Sequence, residues 1–231
     1  MQIITNEQLI KKRARLGRGA SFAGLAVLFL GLLASLSPQW LLASFGCLFV
    51  GFVLSQVGLY HAHRWVKEPR ADQTLEKVLK GFDDRYHLYN YVLRAPHVLL
   101  APFGLCVIKP KHQGGKVRCQ GEKWRYAAGW RQGILRFFGQ EGLGNPTKEV
   151  RAEVKRLRKW ASEQVNQWEV PIEGVIVFTN PEADLEIENP AVPVLDGKQF
   201  KSFLRNLSKE SPIPGSQRKQ LADILEAGNN G

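Results

Sequence analysis

The sequence predicts an α/β protein in which an N-terminal transmembrane helical hairpin precedes one domain with a mixed β-sheet. Two observations support this prediction. Near the N-terminus, residues 19–60 form an uncharged stretch of forty-two residues. After it, segments with helical spacing alternate with short apolar segments that are typical of strands. Such an order predicts helices that flank a central mixed sheet.

The uncharged stretch is long enough for two membrane crossings. As one helix it would span about 63 Å at 1.5 Å per residue, whereas a bilayer core is about 30 Å thick and needs about 20 residues per crossing. Pro38, between Ser37 and Gln39, interrupts the stretch and ends a helix before it. We therefore predict helices over residues 20–36 and 40–60. The alternative, a secretory signal peptide, would have a much shorter apolar segment.

Basic residues flank both predicted helices, and the loop between them has no charge. The flanking cations are Lys11, Lys12, Arg13, Arg15, Arg18, Arg64, Lys67 and Arg70. Basic flanks stay on the cytoplasmic side of a membrane. We therefore predict a two-pass integral membrane protein with a basic cytoplasmic segment at residues 1–18 and a linker at residues 61–71. Both termini and the soluble domain are then cytoplasmic.

Small residues recur at every fourth position of the second predicted helix. They are Ala43, Cys47, Gly51 and Ser55. Such a face lets another helix approach closely. We expect the first helix to pack there through Ala20, Gly24 and Gly31, because the connecting loop is short. The alternative is self-association or contact with another membrane protein, in addition to the lipid bilayer itself.

Periodicity predicts the elements of the soluble domain. Asn145 and Pro146 begin a long helix, since asparagine is a good N-cap and proline suits the first helical position. The other predicted helices cover residues 74–82, 199–207 and 217–227. The predicted strands cover residues 86–94, 97–101, 105–108, 116–120, 123–126, 174–178 and 192–195.

Charge is unevenly distributed along the domain. Residues 109–159 contain fourteen Lys or Arg and four acids, whereas residues 163–196 contain eight acids and no Lys or Arg. The basic part suits nucleic acid, the anionic inner leaflet or an acidic protein. Cys47, Cys106 and Cys119 have no metal or redox spacing, as expected in a reducing compartment.

Several segments, taken in order, resemble the nuclease-related domain (NERD) family. They are HVLLAPFGLCVIKPKHQGGKV at residues 97–117, NPTKE at 145–149, GVIVFTNPEADLEI at 174–187 and VPVLDGKQFKSFL at 192–204. The resemblance covers residues 72–207 and leaves a C-terminal helix and tail at 208–231. It implies an α/β/α fold like that of restriction endonucleases, often attached to membrane helices.

The resemblance also implies a Mg²⁺ site with acidic ligands and a catalytic lysine, which Lys111 matches. Pro96 and Lys109, however, stand where the family has acids, and Glu149 stands where it often has glutamine. Asp72 and Glu76 are the weak matches for an acid on the first helix of the domain. Because Mg²⁺ needs anionic oxygen ligands, we expect no metal and no other cofactor, and we read the domain as a catalytically degenerate nuclease fold. Mg²⁺ would bind only if the acids were relocated in an active nuclease.

The leading functional hypothesis is therefore a membrane-anchored domain that binds DNA, RNA or another polyanion. Its candidate contacts are Lys109, Lys111, Lys116, Arg118, Arg125, Arg131, Arg151, Lys155 and Arg158. Aromatic residues are interleaved with these cations at Trp124, Tyr126, Trp130, Phe137 and Phe138, and they either stack on bases or pack in the core. The alternatives are a structural subunit of a membrane assembly and, third, an active nuclease.

Overall fold

The computed structural model describes residues 1–127 and 142–227. The chain forms two compact units, a helical hairpin over Glu7–Arg70 and a domain that contains Met1–Asn6 and the segments after the hairpin. The helices are α1 Glu7–Ala34, α2 Leu41–Trp65, α3 Ala71–Leu79, α4 Pro146–Gln164, α5 Gly197–Glu210 and α6 Gly215–Ala227. The strands are β1 Gln2–Thr5, β2 His87–Asn90, β3 His97–Ala101, β4 Gly104–Lys111, β5 Gly115–Gln120, β6 Lys123–Ala127, β7 Ile172–Phe178, β8 Ala183–Glu188 and β9 Val194–Asp196.

Two helices that are long and apolar enough to cross a membrane form the hairpin. They pack through small residues seven positions apart, which are Gly17, Gly24 and Gly31 on α1 and Ser44, Gly51 and Gly58 on α2. The helices are so close that a Cβ atom on Gly58 would lie 2.5 Å from the backbone nitrogen of Ser21. The hydroxyl of Ser44 donates to the carbonyl of Gly31 at 2.7 Å.

The small-residue face predicted on the second helix contributes in part to this packing. A Cβ on Gly51 would meet Leu28, Cys47 lies against Gly31, and Ser55 lies against Gly24. Ala43, in contrast, is exposed. The buried small residues are seven positions apart, and not four as predicted. Two helices that cross at a shallow angle stay in contact along one side, and the same side returns to the contact after every two turns.

A six-stranded mixed sheet with the order β1-β2-β3-β4-β7-β9 forms the centre of the domain. Strands β2, β3 and β4 are antiparallel neighbours, whereas β1 is parallel to β2, and β7 is parallel to β4 and β9. Helices α3 and α5 cover one face through Leu75 and Phe200. Helices α4 and α6 cover the other through Leu157 and Leu221. The predicted α/β class, with helices on both sides of a mixed sheet, is confirmed.

Strands β6, β5 and β8 form a separate three-stranded sheet, whereas the order of elements in the sequence predicts one central sheet. Its inner face packs Val117, Leu185 and Ile187 in a cluster with Val150 of α4 and Phe178 of β7. Side chains alternate across a strand, so the charged residues of these strands point to the outer face. This second sheet forms because β8 pairs in parallel with β5, far away in the sequence.

Several predicted boundaries were wrong, for local reasons. Helix α1 begins at Glu7, because the basic segment before the apolar residues is rich in good helix formers. Helix α2 continues to Trp65, so the linker is shorter than residues 61–71. Strand β2 ends at Asn90 because Tyr91 has a φ of 59° and begins a turn that its amide closes on the Pro96 carbonyl at 2.7 Å.

Candidate functional site

The end of strand β4 and the start of helix α4 bring four charged side chains together. On β4, Leu105 and Val107 face α4, whereas Cys106 and Ile108 face the opposite side of the sheet. The alternation continues, so Lys109 and Lys111 point toward α4. On α4, Glu149 and Glu153 lie one turn apart. We call Lys109, Lys111, Glu149 and Glu153 the lysine–glutamate cluster.

The amino group of Lys109 lies between the two carboxylates of the cluster. Its Nζ is 2.8 Å from Oε1 of Glu153 and 3.0 Å from Oε2 of Glu149. The Lys111 Nζ lies 3.2 Å from Glu149 and donates to the carbonyl of Leu143 at 3.0 Å. The side chains of Lys109, Lys111 and Glu153 are 17%, 9% and 6% exposed, and that of Glu149 is 36% exposed. The cluster is therefore a largely buried ion-pair network.

The local sequence explains why helix α4 presents its acids here. Asn145 caps the helix by accepting a hydrogen bond from the amide of Lys148 at 3.1 Å, and Pro146 follows at the first helical position. Val150 and Leu157 anchor the inner face of the helix. Glu153 lies on that same inner face, between two apolar turns. We did not predict Glu153 as a site residue, although a single acid at an apolar position of the helix was a usable signal.

The cluster changes the pKa of its members by competition between burial and charge. Burial on its own lowers the pKa of Lys109, but attraction to Glu153 and Glu149 outweighs burial and raises that pKa above 10.5. Burial raises the pKa of Glu149, but Lys111 and Lys109 outweigh it and lower that pKa below 4.5. Both groups are therefore held in their charged forms.

These shifts predict how stability depends on pH. The contribution of Glu149 is present above pH 4.5, the ordinary pKa, and is lost as the pH falls through its lowered pKa. The contribution of Lys109 is present below pH 10.5 and is lost as the pH rises through its raised pKa. We expect the melting temperature of the full-length protein in detergent to fall on both sides of that window. The variant Glu149→Gln should reduce the acid-side fall, and an unchanged acid-side fall would contradict this assignment.

Two basic candidates on the second sheet share one carboxylate of an acidic strand. Lys116 and Arg118 each form an ion pair of 2.5 Å with Glu186 of β8. The hydrogen bonds from Lys116 and from Arg118 lower the pKa of Glu186. Arg125, on β6, lies beside Arg118 and is exposed. The basic and acidic stretches, separate in the sequence, therefore meet on the outer face of this sheet.

Helix α4 carries a row of exposed cations on the domain. Four of them are three or four positions apart and define what we call the basic stripe: Lys148, Arg151, Lys155 and Arg158. Residues at this spacing lie on one side of a helix. Arg151 pairs with Glu122. Within residues 1–127 and 142–227, Lys155 and Arg158 form no ion pair with an acid. The stripe keeps its positive charge because Glu149 and Glu153 point inward to the lysines of β4.

The described aromatic residues of the basic region pack inward. The indole of Trp124 donates to the hydroxyl of Thr147 at 2.9 Å and stacks on Phe178. The hydroxyl of Tyr126 donates to the carbonyl of Gly114. These two side chains therefore fit the alternative in which the aromatic residues pack in the core, and not the one in which they stack on bases. The candidate cation Arg131 and the aromatic residues Trp130, Phe137 and Phe138 lie outside the described residues.

Comparison with known proteins identifies the family of the chain. The nuclease-related domain (NERD) family matches residues 64–179, half of the chain. The chain belongs to the nuclease-related domain family. The matched segment includes the whole lysine–glutamate cluster and the basic stripe. Neither a curated protein nor a solved structure matches the chain.

The helix that carries Asp72 and Glu76, the two weak alternatives for one acid of the family's site, packs on the side of the sheet opposite to α4. Asp72 and Glu76 belong to α3, whose Leu75 packs with Cys106 and Ile108 of β4. Asp72 is 1% exposed. Pro96, at the other position expected to be acidic, directly precedes β3. The acids that meet Lys111 and Lys109 therefore come from α4.

The described residues around Lys109 and Lys111 do not fit a divalent cation. Mg²⁺ takes anionic and neutral oxygen ligands and keeps several waters. Here the carboxylates of Glu153 and Glu149 already bind the ammonium of Lys109, at 2.8 and 3.0 Å. Within the described part of the chain, no group of three or more His, Cys, Asp or Glu residues is arranged to hold a metal ion. We therefore derive no metal-dependent step for this domain.

Proposed function

We propose that this chain is a membrane-anchored member of the nuclease-related domain family that binds nucleic acid backbone without cleaving it. The observation that supports binding most directly is the basic stripe. Its cations extend along about 15 Å of one exposed helix face, at a rise of 1.5 Å per residue. Phosphate contacts of this kind supply affinity without reading sequence. Binding without cleavage is supported by Lys109, whose ammonium binds Glu149 and Glu153 among the described residues.

A titration with salt tests this binding. The full-length protein in nanodiscs of zwitterionic lipid is mixed with a labelled DNA or RNA oligonucleotide, and binding is followed by fluorescence anisotropy. Because Arg151 already pairs with Glu122, about three phosphates should be neutralised, and the logarithm of the binding constant should fall with the logarithm of salt at a slope of about −2.7 for duplex DNA and about −2.1 for a single strand. Absence of binding even at about 25 mM salt, where counterion release favours it most, would contradict the proposal.

The same cations would also be attracted to anionic lipid, so the lipid must be controlled. Each Lys or Arg near an anionic surface contributes about 1 kcal/mol. Repeating the titration in nanodiscs that contain phosphatidylserine measures this competition. Nucleic-acid binding in zwitterionic discs that weakens in anionic discs would show that both surfaces compete for the stripe. Binding that appears only to anionic discs would favour the lipid surface over nucleic acid.

The anchoring part of the proposal rests on the chain order around the hairpin. Strand β1 belongs to the sheet of the domain, and one residue, Asn6, separates it from α1. After α2, α3 begins at Ala71 and again belongs to the domain. Both ends of the hairpin therefore lead into the same folded unit. The basic residues at both ends favour the cytoplasmic side for that unit.

Cysteine labelling tests this topology. We expect Gln39→Cys, in the loop between the helices, to react with a membrane-impermeant maleimide added outside intact cells. Lys67→Cys, which follows α2, should react only after the cells are opened, because it lies on the side of the domain. The unsubstituted chain, with Cys47 in a helix and Cys106 and Cys119 buried, is the background control. Labelling of Lys67→Cys in intact cells would reverse the assigned orientation.

A further inference from the structure

The buried Glu153 makes the lysine–glutamate cluster more than a surface ion pair. Its Oε1 accepts from Lys109 at 2.8 Å, while its Oε2 is buried and has no hydrogen-bond partner among the described residues. A buried carboxylate oxygen without a partner is costly. Glu153 and Glu149 thus converge on a single ammonium, and one carboxylate oxygen still lacks a partner.

The positions of charge in the cluster are exchanged relative to the arrangement that the family resemblance implies. The strand position expected to be acidic holds Lys109, and the helix position where glutamine is common holds Glu149. These two side chains bind each other at 3.0 Å. The carboxylates therefore stand on α4, and a cation from β4 lies between them. Lys111 keeps its place beside them.

We propose that the Lys109 ammonium is a built-in substitute for a divalent cation, and that Glu149 and Glu153 form a latent divalent-cation site that opens when Lys109 is shortened. The proposal deepens the proposed function, since it explains why the domain needs no metal. Removing the lysine leaves the buried Glu153 without its cation and leaves Glu149 paired at 3.2 Å with Lys111, which also donates to the Leu143 carbonyl. The two carboxylates are oxygen ligands of the kind that Mg²⁺ and Mn²⁺ bind, together with water.

The competing view is that the cluster is only a structural ion pair with no capacity for metal. The size of the side chain at position 109 separates the two views. Lys109→Ala removes the charge and leaves room for an ion, whereas Lys109→Met removes the charge and fills the room with an apolar chain. A latent cation site predicts metal binding by the alanine variant and much weaker binding by the methionine variant. A structural ion pair predicts no metal binding by either variant.

The experiment uses the full-length protein in detergent, freed of metal with EDTA and titrated with Mn²⁺ by electron paramagnetic resonance. We expect Lys109→Ala to bind one Mn²⁺ at least about tenfold more tightly than the unsubstituted protein, because Glu153 loses its cation and Glu149 keeps only its pair with Lys111. Mn²⁺ should also raise its melting temperature, since a ligand that binds the folded state stabilises it. Lys116→Ala, which removes a lysine paired with Glu186 on the surface, is the matched control and should gain no Mn²⁺ binding.

Two further variants make the result decisive. Lys109→Ala combined with Glu153→Gln should lose the gained Mn²⁺ site, because one of its two carboxylates is gone. Lys109→Ser, also short, repeats the test in case the alanine variant does not fold without metal; Mn²⁺-dependent folding of either short variant supports the proposal. If neither short variant binds Mn²⁺, folded or not, the proposal is overturned. Because the readouts are metal binding and melting, this failure is distinct from an absence of nucleic-acid binding.

Discussion

Replacing Lys109 with methionine should destabilise the folded domain by about 3–5 kcal/mol, the range for removing one partner of a buried ion pair. Among the described residues, Lys109 is the cation that forms an ion pair with Glu153, and the Glu153 side chain is 6% exposed. After the substitution, that carboxylate stays buried without its cation. For a domain of this size, the loss corresponds to a fall in melting temperature of about 6–20 °C.

A double substitution separates the buried charge from the loss of packing. In Lys109→Met combined with Glu153→Leu, no uncompensated carboxylate remains at this position, and Glu149 keeps its contact with Lys111 at 3.2 Å. Apolar replacement of both partners of a buried pair is often neutral or stabilising. We therefore expect the double variant to recover most of the lost stability. Lys116→Met, at an exposed pair, should cost less than about 1 kcal/mol. A similar small cost for Lys109→Met would contradict a buried, coupled cluster.

Reversing two charges of the basic stripe should weaken nucleic-acid binding at least about tenfold at 100 mM salt, because counterion release at those phosphates is lost. The variant is Lys155→Glu with Arg158→Glu. These residues lie on the exposed side of α4, so stability should change little. The magnitude of the slope in the salt titration should fall by about one for each lost phosphate contact, and therefore by about two. Fluorescence anisotropy of the full-length protein with a labelled oligonucleotide measures both quantities.

A charge-matched control distinguishes a binding surface from a general effect of net charge. Lys198→Glu with Lys209→Glu makes the same change in net charge on α5, at two exposed lysines away from the stripe. This control should bind nearly as tightly as the unsubstituted protein. Equal weakening by both double variants would mean that binding follows overall charge and that the stripe is not the contact surface.

Local signals in the sequence predicted the elements that hold the site. The start of α4 follows from Asn145 and Pro146, and the structure shows both the cap and the proline at the expected positions. The range predicted for β3 is the range observed. Caps, turns and apolar periodicity act between residues that are neighbours in the chain, so the sequence alone contains the information needed to find them.

Pairings between distant segments could not be predicted in this way. Gln2–Thr5 is a short, partly polar strand whose partner β2 is more than eighty residues away. The ion pair between Arg118 and Glu186 joins residues sixty-eight positions apart and exists only because β5 and β8 pair. The distribution of charge along the sequence predicts a basic surface that includes Lys116 and Arg118. Only the pairing of β5 with β8 shows that these two cations lie beside the carboxylate of Glu186.

The lysine–glutamate cluster depends both on a local signal in the sequence and on a contact between distant segments. The replacement of an expected acid by Lys109 is visible in the sequence, and it predicts a poor metal site. The sequence does not show that Glu149 and Glu153 bind the lysines of β4. This contact depends on the packing of α4 on β4, which brings together side chains about forty residues apart. The same packing turns Glu149 and Glu153 toward β4 and leaves the cations of α4 on the surface.

The central claim is nucleic-acid binding without metal-dependent cleavage, and a paired binding and cleavage measurement tests it most directly. The full-length protein in zwitterionic nanodiscs is incubated with labelled DNA and RNA in EDTA, in Mg²⁺ and in Mn²⁺ at constant ionic strength. We predict equal binding in EDTA and in metal, with the oligonucleotides intact on a denaturing gel. Cleavage that requires Mg²⁺ or Mn²⁺ and disappears in Lys111→Ala would contradict this account.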